Sequence, residues 1–425
     1  MKRMVKLLSI FFLFGIFLNG CSGDDNGSEE PNPPTGMEDD DPAPTELESG
    51  WVVAYRNETP QGRVYFMEVN EEIPAESNVS EAVELGLNAR IYSFGDNPIT
   101  WNGDAGTLTK WNVDRTNLEL SIGGIISFAS NGITGNRGEP VFISETEAYM
   151  ENLLEGVIVE WNPTTMEITR VVNVDTPPEI TGGTGAYFVT LFSNVTSDGK
   201  IVYGVDYRLP ACCEYVGPEA AVIAVFDPSQ GTLEYQQDDR LLSANNIVRD
   251  EQGHVYITPS NLNAFTKEYF NDAENLPSPY TLLRVGSDGE LDSDYSLDLS
   301  SLLPIEVANG FSFITNNRIV ISYVDSNENQ LPESFDARFG IFGAPSIPVA
   351  IDVETGEVFQ FDAFSNFNYS GFPSRTDGSL FLVAGQFFPN GDPERSTLQR
   401  EDGFNNFTEV FAHTGGTVQH IARLW

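Results

Sequence analysis

The 425-residue sequence contains few cysteines, few histidines and few basic residues. Its three cysteines are Cys21, Cys212 and Cys213, too few for a framework of several disulfides. It has only three histidines, and it lacks a His-x-x-x-His pair, a Gly-x-Ser-x-Gly elbow and a phosphate-binding glycine loop. These absences favour a binding protein over an enzyme, and we predict no metal and no cofactor.

Positive charge is scarce throughout the chain. There are 22 Lys and Arg against 63 Asp and Glu, which gives a formal net charge of −41. Such a surface repels nucleic acid and anionic lipid head groups. We therefore exclude nucleic acid as a partner, and the simplest role of the charge is to keep the protein soluble.

The N-terminus has the pattern of an export signal. Basic residues precede an apolar run over Leu7–Phe17, and small residues lead to Cys21. The run is about half the length of a membrane-spanning helix, which needs roughly 20 residues. A cysteine at this position resembles a bacterial lipobox. We predict a signal peptide over residues 1–20 and lipidation of Cys21, so that a lipid anchor is the only contact with the membrane. The alternative is an ordinary secretory signal with a chance cysteine.

Residues 21–50 are predicted to form a lipidated, disordered, acidic tether. The segment Ser22–Ser49 has ten acidic residues, no basic residue and many prolines and glycines, a composition that stays extended. Its start, Ser22-Gly23-Asp24-Asp25, resembles the acidic export tag of Bacteroidetes lipoproteins that face outward. The resemblance implies an outer-membrane location on the cell exterior, and a merely soluble acidic linker is the alternative.

Beyond the tether, helical periodicity is nearly absent and short β-rich runs recur between turn residues. The runs repeat in groups of four. The repeating units are Arg90–Phe128, Gly138–Val174, Tyr187–Arg240, Asn246–Leu299, Asn309–Phe364 and Tyr369–Phe411. A four-stranded unit of this length is typical of a β-propeller. We predict an all-β, seven-bladed propeller over residues 51–425, with four-stranded antiparallel blades.

The seventh blade is predicted to combine the two ends of this region. Trp51–Val69 supplies only part of a blade, and Thr417–Ala422 is a candidate for the missing strand. A C-terminal strand that completes the first blade would close the ring and remove its exposed edges. Six or eight blades, or a pair of β-sandwiches, remain alternatives.

One face of the predicted ring carries unequal loops. The connections between the second and third strands of the last four blades are long, whereas those of the first three are short. The long ones are Asp206–Glu219, Thr258–Tyr280, Val324–Ser346 and Gly385–Ser396. Long loops on a rigid scaffold commonly bind ligands. The predicted ligand-binding residues are Tyr207, Arg208, Tyr215, Lys267, Tyr269, Arg338, Phe339 and Arg395. Small cores formed by the loops themselves would equally explain the aromatic residues, and the loops are no richer in basic residues than the rest of the chain.

Three further groups of residues have both a structural and a functional interpretation. The adjacent Cys212 and Cys213 are predicted to form a strained vicinal disulfide, with two free thiols as the alternative. The acidic run at 287–294 has a faint likeness to a calcium loop, but a surface hairpin suits it better. His254 and His420 fall in predicted strands, which favours structural roles.

Several sequence motifs together resemble a known group. GWVVAY at 50–55, SDGKIVYGVDY at 197–207 and DVETGEVFQF at 352–361 look like the seven-bladed propeller lipoproteins of Bacteroidetes and myxobacteria. That group is associated with TonB-dependent receptors in siderophore uptake. The resemblance implies a surface protein that captures a small ligand, such as a ferric siderophore, and delivers it to an outer-membrane TonB-dependent transporter. The alternatives are a protein-docking propeller without a small ligand, or a glycan-active lyase or hydrolase.

Overall fold

A computed structural model describes most of the chain beyond the predicted tether. The described residues are 45–60, 62–87, 89–135, 139–178, 187–189, 193–208, 220–241, 244, 246–258, 280–314, 317–328, 346–361, 368–369, 374–387, 393–403 and 406–425. The predicted signal peptide, Cys21 and the tether up to residue 44 lie outside them. In the described part, no helix is long and apolar enough to cross a membrane.

The described chain forms thirty strands and three short 3-10 helices. The first sixteen strands are β1 (Trp51–Thr59), β2 (Gly62–Asn70), β3 (Val83–Leu87), β4 (Ala89–Phe94), β5 (Asn97–Asn102), β6 (Thr107–Val113), β7 (Leu120–Ser127), β8 (Val141–Ser144), β9 (Glu147–Asn152), β10 (Val157–Asn162), β11 (Glu167–Asn173), β12 (Tyr187–Val189), β13 (Ser193–Val195), β14 (Ile201–Arg208), β15 (Ala221–Asp227) and β16 (Thr232–Asp238). The others are β17 (Asn246–Arg249), β18 (Val255–Thr258), β19 (Thr281–Val285), β20 (Leu291–Asp298), β21 (Ile305–Ile314), β22 (Arg318–Asp325), β23 (Ile347–Asp352), β24 (Val358–Gln360), β25 (Asn368–Tyr369), β26 (Ser374–Thr376), β27 (Ser379–Phe387), β28 (Pro393–Glu401), β29 (Phe407–Thr414) and β30 (Gly416–Arg423). The helices span Ala129–Asn131, Leu153–Glu155 and Leu299–Ser301.

The strands pair into seven antiparallel sheets, which are the blades of a propeller. Blade 1 has the order β30-β1-β2-β3, and blade 2 contains β4–β7. Blades 3 to 7 follow in chain order as β8–β11, β12–β16, β17–β20, β21–β24 and β25–β29. The C-terminal strand β30 pairs with β1 along most of its length. The prediction of seven blades closed by Thr417–Ala422 is therefore confirmed.

The first strands of neighbouring blades contact one another around the ring axis at six of the seven blade junctions, all but that between blades 2 and 3. Because neighbouring strands are antiparallel, the connections from second to third strands share one face with the links between blades. We call this the loop face. The opposite face, which we call the turn face, carries the tight turns between strands one and two and between strands three and four. Strand β1 begins on the turn face, so residues 45–50 leave the ring there.

The turns follow the predicted chemistry. Asp377 and Gly378 both have positive φ, 52° and 72°, as the two-residue hairpin between β26 and β27 requires. In the turn after β15, the Asp227 carboxylate accepts the Ser229 backbone N–H at 2.9 Å, and Gly231 closes the turn with φ 66°. These side-chain bonds explain why Asp and Gly recur at the ends of hairpins.

The core lies between blades rather than at one centre. Between blades 2 and 3, the ring of Phe128 lies 6.4 Å from that of Trp101 and 5.9 Å from that of Trp161. All three side chains are completely buried, and burial of each contributes about 2–3 kcal/mol. Each blade therefore depends on its neighbours for stability, and closing the ring completes the last of these contacts.

The connection between β2 and β3 extends blade 7. The Ser77 N–H donates to the Ala412 carbonyl at 3.0 Å, and the Ala412 N–H donates to the Ala75 carbonyl at 2.9 Å. Residues 75–77 thus cover part of the outer edge of β29. This covering protects an edge that would otherwise be free to pair with another chain.

Candidate ligand site on the loop face

Three consecutive blades have long connections on the loop face. Twelve residues separate β14 from β15, 22 separate β18 from β19, and 21 separate β22 from β23. In blades 1 to 3 the corresponding connections have two, four and four residues. The predicted inequality of the loops is therefore present in blades 4, 5 and 6, which gives the loop face one heavily built side.

The fourth predicted loop, Gly385–Ser396, is mostly strand. Gly385 pairs with Ser396 and Gln386 pairs with Arg395, which leaves five connecting residues. Glycine does not end the strand here, because Gly385 is buried against blade 1 and the Ser396 hydroxyl accepts the Val418 N–H at 2.8 Å. The prediction of a long loop in blade 7 was wrong.

Arg395 is consequently a strand residue rather than a loop residue. It lies on β28, and its guanidinium pairs with the Glu409 carboxylate of β29 at 2.5 Å. Arg395 thus lies outside the long connections of the loop face, and its ligand-binding role stays a prediction.

The other predicted site residues are only partly located. Tyr207 and Arg208 end β14 at the loop face, where they pair with Phe188 and Tyr187 of β12. Predictions for five residues and for the cysteine pair lie outside the described residues. These are Tyr215, Lys267, Tyr269, Arg338, Phe339, Cys212 and Cys213.

An ion pair lies at the loop-face end of the innermost strands. Arg90 is the second residue of β4, and Glu139 comes two residues before β8. The Arg90 Nη1 and Glu139 Oε1 atoms are 3.0 Å apart, and about a quarter of each side chain is exposed. The pair therefore joins blades 2 and 3 near the axis while remaining accessible from the loop face.

The environment of this pair shifts the titration of the acid. Burial raises the pKa of the Glu139 carboxyl to about 7, although the Arg90 charge opposes the shift. Burial also raises the pKa of Tyr92 on the same strand, so its phenol stays neutral. At neutral pH Glu139 can therefore lose or gain a proton, and its protonation removes the negative charge that pairs with Arg90. Such an arrangement suits an anionic ligand that competes with Glu139 for Arg90.

A neutral histidine links the neighbouring inner strands below the ion pair. Nε2 of His420 on β30 lies 2.9 Å from Oγ of Ser93 on β4. Burial lowers the pKa of His420 to about 4, so the imidazole is uncharged at neutral pH. This agrees with the structural role predicted for His420.

His254 and the acidic run are on the turn face. His254 lies in the turn before β18 rather than within a strand, and its Nδ1 is 2.9 Å from the Asp250 carboxylate. The acidic run forms the predicted hairpin, in which Arg284 pairs with Asp292 at 2.8 Å. Across the described ranges, no cluster of three or more His, Cys, Asp or Glu residues is placed to hold a metal ion.

Sequence reasoning did not identify Arg90 and Glu139 as site residues. They are 49 positions apart, and their strands come together only when blades 2 and 3 pack. The available signal was an arginine at the start of a predicted innermost strand, RIYSF, where an apolar residue would be ordinary.

Proteins of known structure share the propeller fold. The periplasmic gluconolactonase PpgL of Pseudomonas aeruginosa is 9% identical, with a TM-score of 0.51, over 88% of this chain and 99% of its own. AztD of Citrobacter koseri, in its apo form, is 12% identical with a TM-score of 0.40 over 88% and 98%. A streptogramin B lyase is 10% identical with a TM-score of 0.42 over 86% and 88%. At these identities the likeness concerns the fold alone. No protein-family profile and no curated protein sequence matches the chain.

Proposed function

We propose that this protein is a lipid-anchored surface protein that binds a small anionic ligand on its loop face and delivers it to a TonB-dependent outer-membrane transporter. A ferric catecholate siderophore is the proposed ligand. The observation that carries the proposal is the Arg90–Glu139 pair, which lies near the axis on the same face as the long connections of blades 4 to 6. An inner strand thus holds a cation on the face that also carries the long connections, and long connections on a scaffold are where ligands commonly bind.

The chemistry of the pair suits such a ligand. Ferric catecholates are anionic and aromatic, and an arginine binds them through charge-assisted hydrogen bonds and ring stacking. The formal charge of −41 opposes anion binding, but proton uptake by Glu139 leaves a local positive charge at Arg90. Arg208 is the last residue of β14, which ends on the same face.

The position of the chain start also supports the proposal. Residues 45–50 leave the ring on the turn face, where the Leu47 N–H donates to the Arg115 carbonyl at 2.9 Å. A tether that continues to a lipid on Cys21 would thus join the ring on the face opposite the proposed ligand site. The ligand site is then free to receive a ligand from solution.

Calorimetric titration of the full chain tests the ligand. We expect binding of ferric enterobactin, an anionic catecholate, and much weaker binding of ferrioxamine B, a positively charged hydroxamate complex. Arg90→Gln should weaken the catecholate affinity at least about tenfold, the equivalent of one lost charged hydrogen bond. Arg170→Gln is the matched control, because Arg170 also forms a 2.8 Å ion pair with a glutamate, Glu160, but on the outermost strand of blade 3.

The outcomes separate the alternatives. If neither siderophore binds, the ligand proposal fails, and retention of a TonB-dependent transporter by the immobilised protein would then favour the docking alternative. Equal affinity in the Arg90→Gln and Arg170→Gln variants would show that the Arg90–Glu139 pair is not part of the ligand site. Turnover of a glycan with no siderophore binding would favour the enzyme alternative.

A further inference from the structure

A cavity lies on the turn face, opposite the Arg90–Glu139 pair. It has a volume of about 260 Å³ and opens between blades 2 and 3. Its rim consists of turns from both blades: Gly95 and Asp96 after β4, Glu145 after β8, and Pro163 and Thr164 after β10. We call this cavity the turn-face groove. Its volume suits a single ring rather than a drug-sized ligand, whose pocket is roughly 300 Å³ or more.

Two apolar residues contribute to the lining of the groove. Phe94 lines it and stacks on Phe142 of the next blade, with ring centroids 4.5 Å apart and an interplanar angle of 13°. Ile99, which is almost fully buried, also belongs to the lining. This part of the groove therefore adjoins the core between blades 2 and 3, and it offers an apolar contact for a ring.

One wall of the groove carries a lysine without an acidic partner. Nζ of Lys110 lies 3.4 Å from the Pro163 carbonyl oxygen, and no carboxylate among the described residues is within ion-pair distance of it. An ammonium has three donors, and this long contact occupies one of them weakly. Lys110 therefore presents donors and a positive charge to the groove.

This lysine differs from the described arginines, ten of which are within 4.0 Å of a carboxylate. They are Arg56, Arg63, Arg90, Arg115, Arg170, Arg240, Arg284, Arg395, Arg400 and Arg423. Lys110 shares its cavity with Asp96 and Glu145 but forms no ion pair with either, and of the two described lysines, Lys110 and Lys200, it is the one that lines this cavity. Its ammonium can therefore pair with an anionic group of a ligand.

The rim favours a ligand that also donates hydrogen bonds. Asp96 is compensated by its close ion pair with Arg115, whereas the Glu145 side chain is exposed at the rim and has no cation among the described ion pairs. The Pro163 carbonyl faces the same space. These acceptors match hydroxyl groups, which a sugar acid carries and an unsubstituted aromatic acid lacks.

We propose that the turn-face groove binds the ring of a hexuronic acid, free or at the end of a glycan. The ring rests on Phe94, the carboxylate pairs with Lys110, and hydroxyl groups donate to Glu145 and to the Pro163 carbonyl. This site is independent of the ligand site proposed on the loop face, because the two sites share no residue and open on opposite faces.

Saturation-transfer NMR and calorimetry on the full chain test the assignment with D-glucuronate as the probe. We expect a dissociation constant on the order of 1 mM, typical of a small ligand with few contacts. D-Glucose, which lacks the carboxylate, and benzoate, which lacks the hydroxyl groups, should each bind at least about tenfold more weakly. Added salt should weaken glucuronate binding, because the lysine contact is electrostatic.

Substitutions then locate the site. Lys110→Met should weaken glucuronate binding at least about tenfold, whereas Lys110→Arg should keep most of it. Lys200→Met is the matched control, since Lys200 is also a half-buried lysine in a turn-face segment. The unfolding temperature of each variant shows whether it folds. The salt series and the comparison of probes use the unsubstituted chain, so they test the proposal even if a variant does not fold.

Three results would overturn the proposal. These are the absence of any glucuronate binding, unchanged affinity in Lys110→Met, or benzoate binding as tightly as glucuronate. The last result would identify an aromatic-acid site instead. None of these outcomes bears on siderophore binding, so the two proposals fail separately.

Discussion

Nδ1 of His413 lies 2.8 Å from Oγ of Ser77. The other ring nitrogen, Nε2, lies 2.6 Å from Oδ1 of Asn57, and the imidazole packs on Tyr55 with centroids 4.3 Å apart. The amide oxygen of Asn57 only accepts, so Nε2 carries the hydrogen and Nδ1 accepts from Ser77. One buried, neutral side chain of blade 7 thus bonds to two separate segments of blade 1.

We call this contact between blades 7 and 1 the seam. Acid should weaken the seam in a defined pH range. Burial lowers the pKa of both His413 and His420 from 6.5 to about 4. Between these values the unfolded chain binds more protons than the folded one, so stability falls as the pH falls from 6.5 to about 4. For His413, which is 1% exposed, the loss is on the order of 2 kcal/mol.

Urea unfolding as a function of pH measures this effect. The double variant His413→Gln/His420→Gln should lose less stability across the same pH interval than the unsubstituted chain. Both proteins contain the same carboxyl groups, so the difference between their slopes of unfolding free energy against pH removes the contribution of those groups. One of them is Glu139, whose raised pKa makes stability rise as the pH falls. Identical slopes would contradict the assignment.

Gly416 should be irreplaceable at the seam. A Cβ atom added there would lie 1.7 Å from the Arg56 carbonyl oxygen and 2.8 Å from Nε2 of His413. Gly416→Ala must therefore displace the backbone of β1 or β30, and we expect a loss of about 3 kcal/mol. The control is Gly286→Ala, whose Cβ meets first the flexible Asp288 carboxylate and should cost less than about 1 kcal/mol. Chemical unfolding of the two variants compares these losses, and equal losses would refute the steric argument.

Two buried tyrosines should respond differently to loss of their hydroxyl groups. The Tyr203 hydroxyl is buried without a hydrogen-bond partner in the described structure, so Tyr203→Phe should leave stability unchanged or raise it by up to about 1 kcal/mol. The Tyr149 hydroxyl donates to Glu147 at 2.6 Å, and Tyr149→Phe should cost about 1 kcal/mol. Thermal unfolding monitored by circular dichroism compares the variants. A larger loss for Tyr203→Phe than for Tyr149→Phe would mean that the Tyr203 hydroxyl has a partner after all.

Binding of an anion at the loop face should depend on Glu139. Its pKa of about 7 means that acidification below neutrality protonates the carboxyl and removes the negative charge that competes with an anion for Arg90. We expect the affinity for ferric enterobactin to rise as the pH falls through 7. Glu139→Gln, which cannot ionise, should bind with the higher affinity and lose most of this pH dependence. Titrating the unsubstituted chain and Glu139→Gln with the same complex cancels the effect of ligand protonation on the affinity. Parallel pH profiles would show that Glu139 does not cause the pH dependence.

The repeat and the ring closure could be predicted because their signals are local. Turn residues such as Asp377 and Gly378 occur at fixed places in each unit, and the backbone angles that they favour are those observed. The unit that lacked a strand identified Thr417–Ala422 as the closing strand. The repeat is thus read from neighbouring residues, and the closing strand follows from counting the strands in each unit.

The features that escaped prediction depend on contacts between blades. Gly385 reads as the end of a strand, yet packing against blade 1 extends its hairpin. The pairing of Ser77 with Ala412 joins residues 335 positions apart, and the Arg90–Glu139 pair forms only where two inner strands meet. A pattern within one repeat contains no information about which polar side chains of adjacent repeats will touch.

The innermost strand of blade 1, β30, follows every other described strand in the chain. Until β30 has been synthesised, the first blade lacks its inner strand and His420 cannot reach Ser93. The ring therefore closes only after residues 416–423 have been made, later than blades 2 to 7. A chain whose ring closes this late stays incompletely folded for longer, which suits the export signal predicted for residues 1–20.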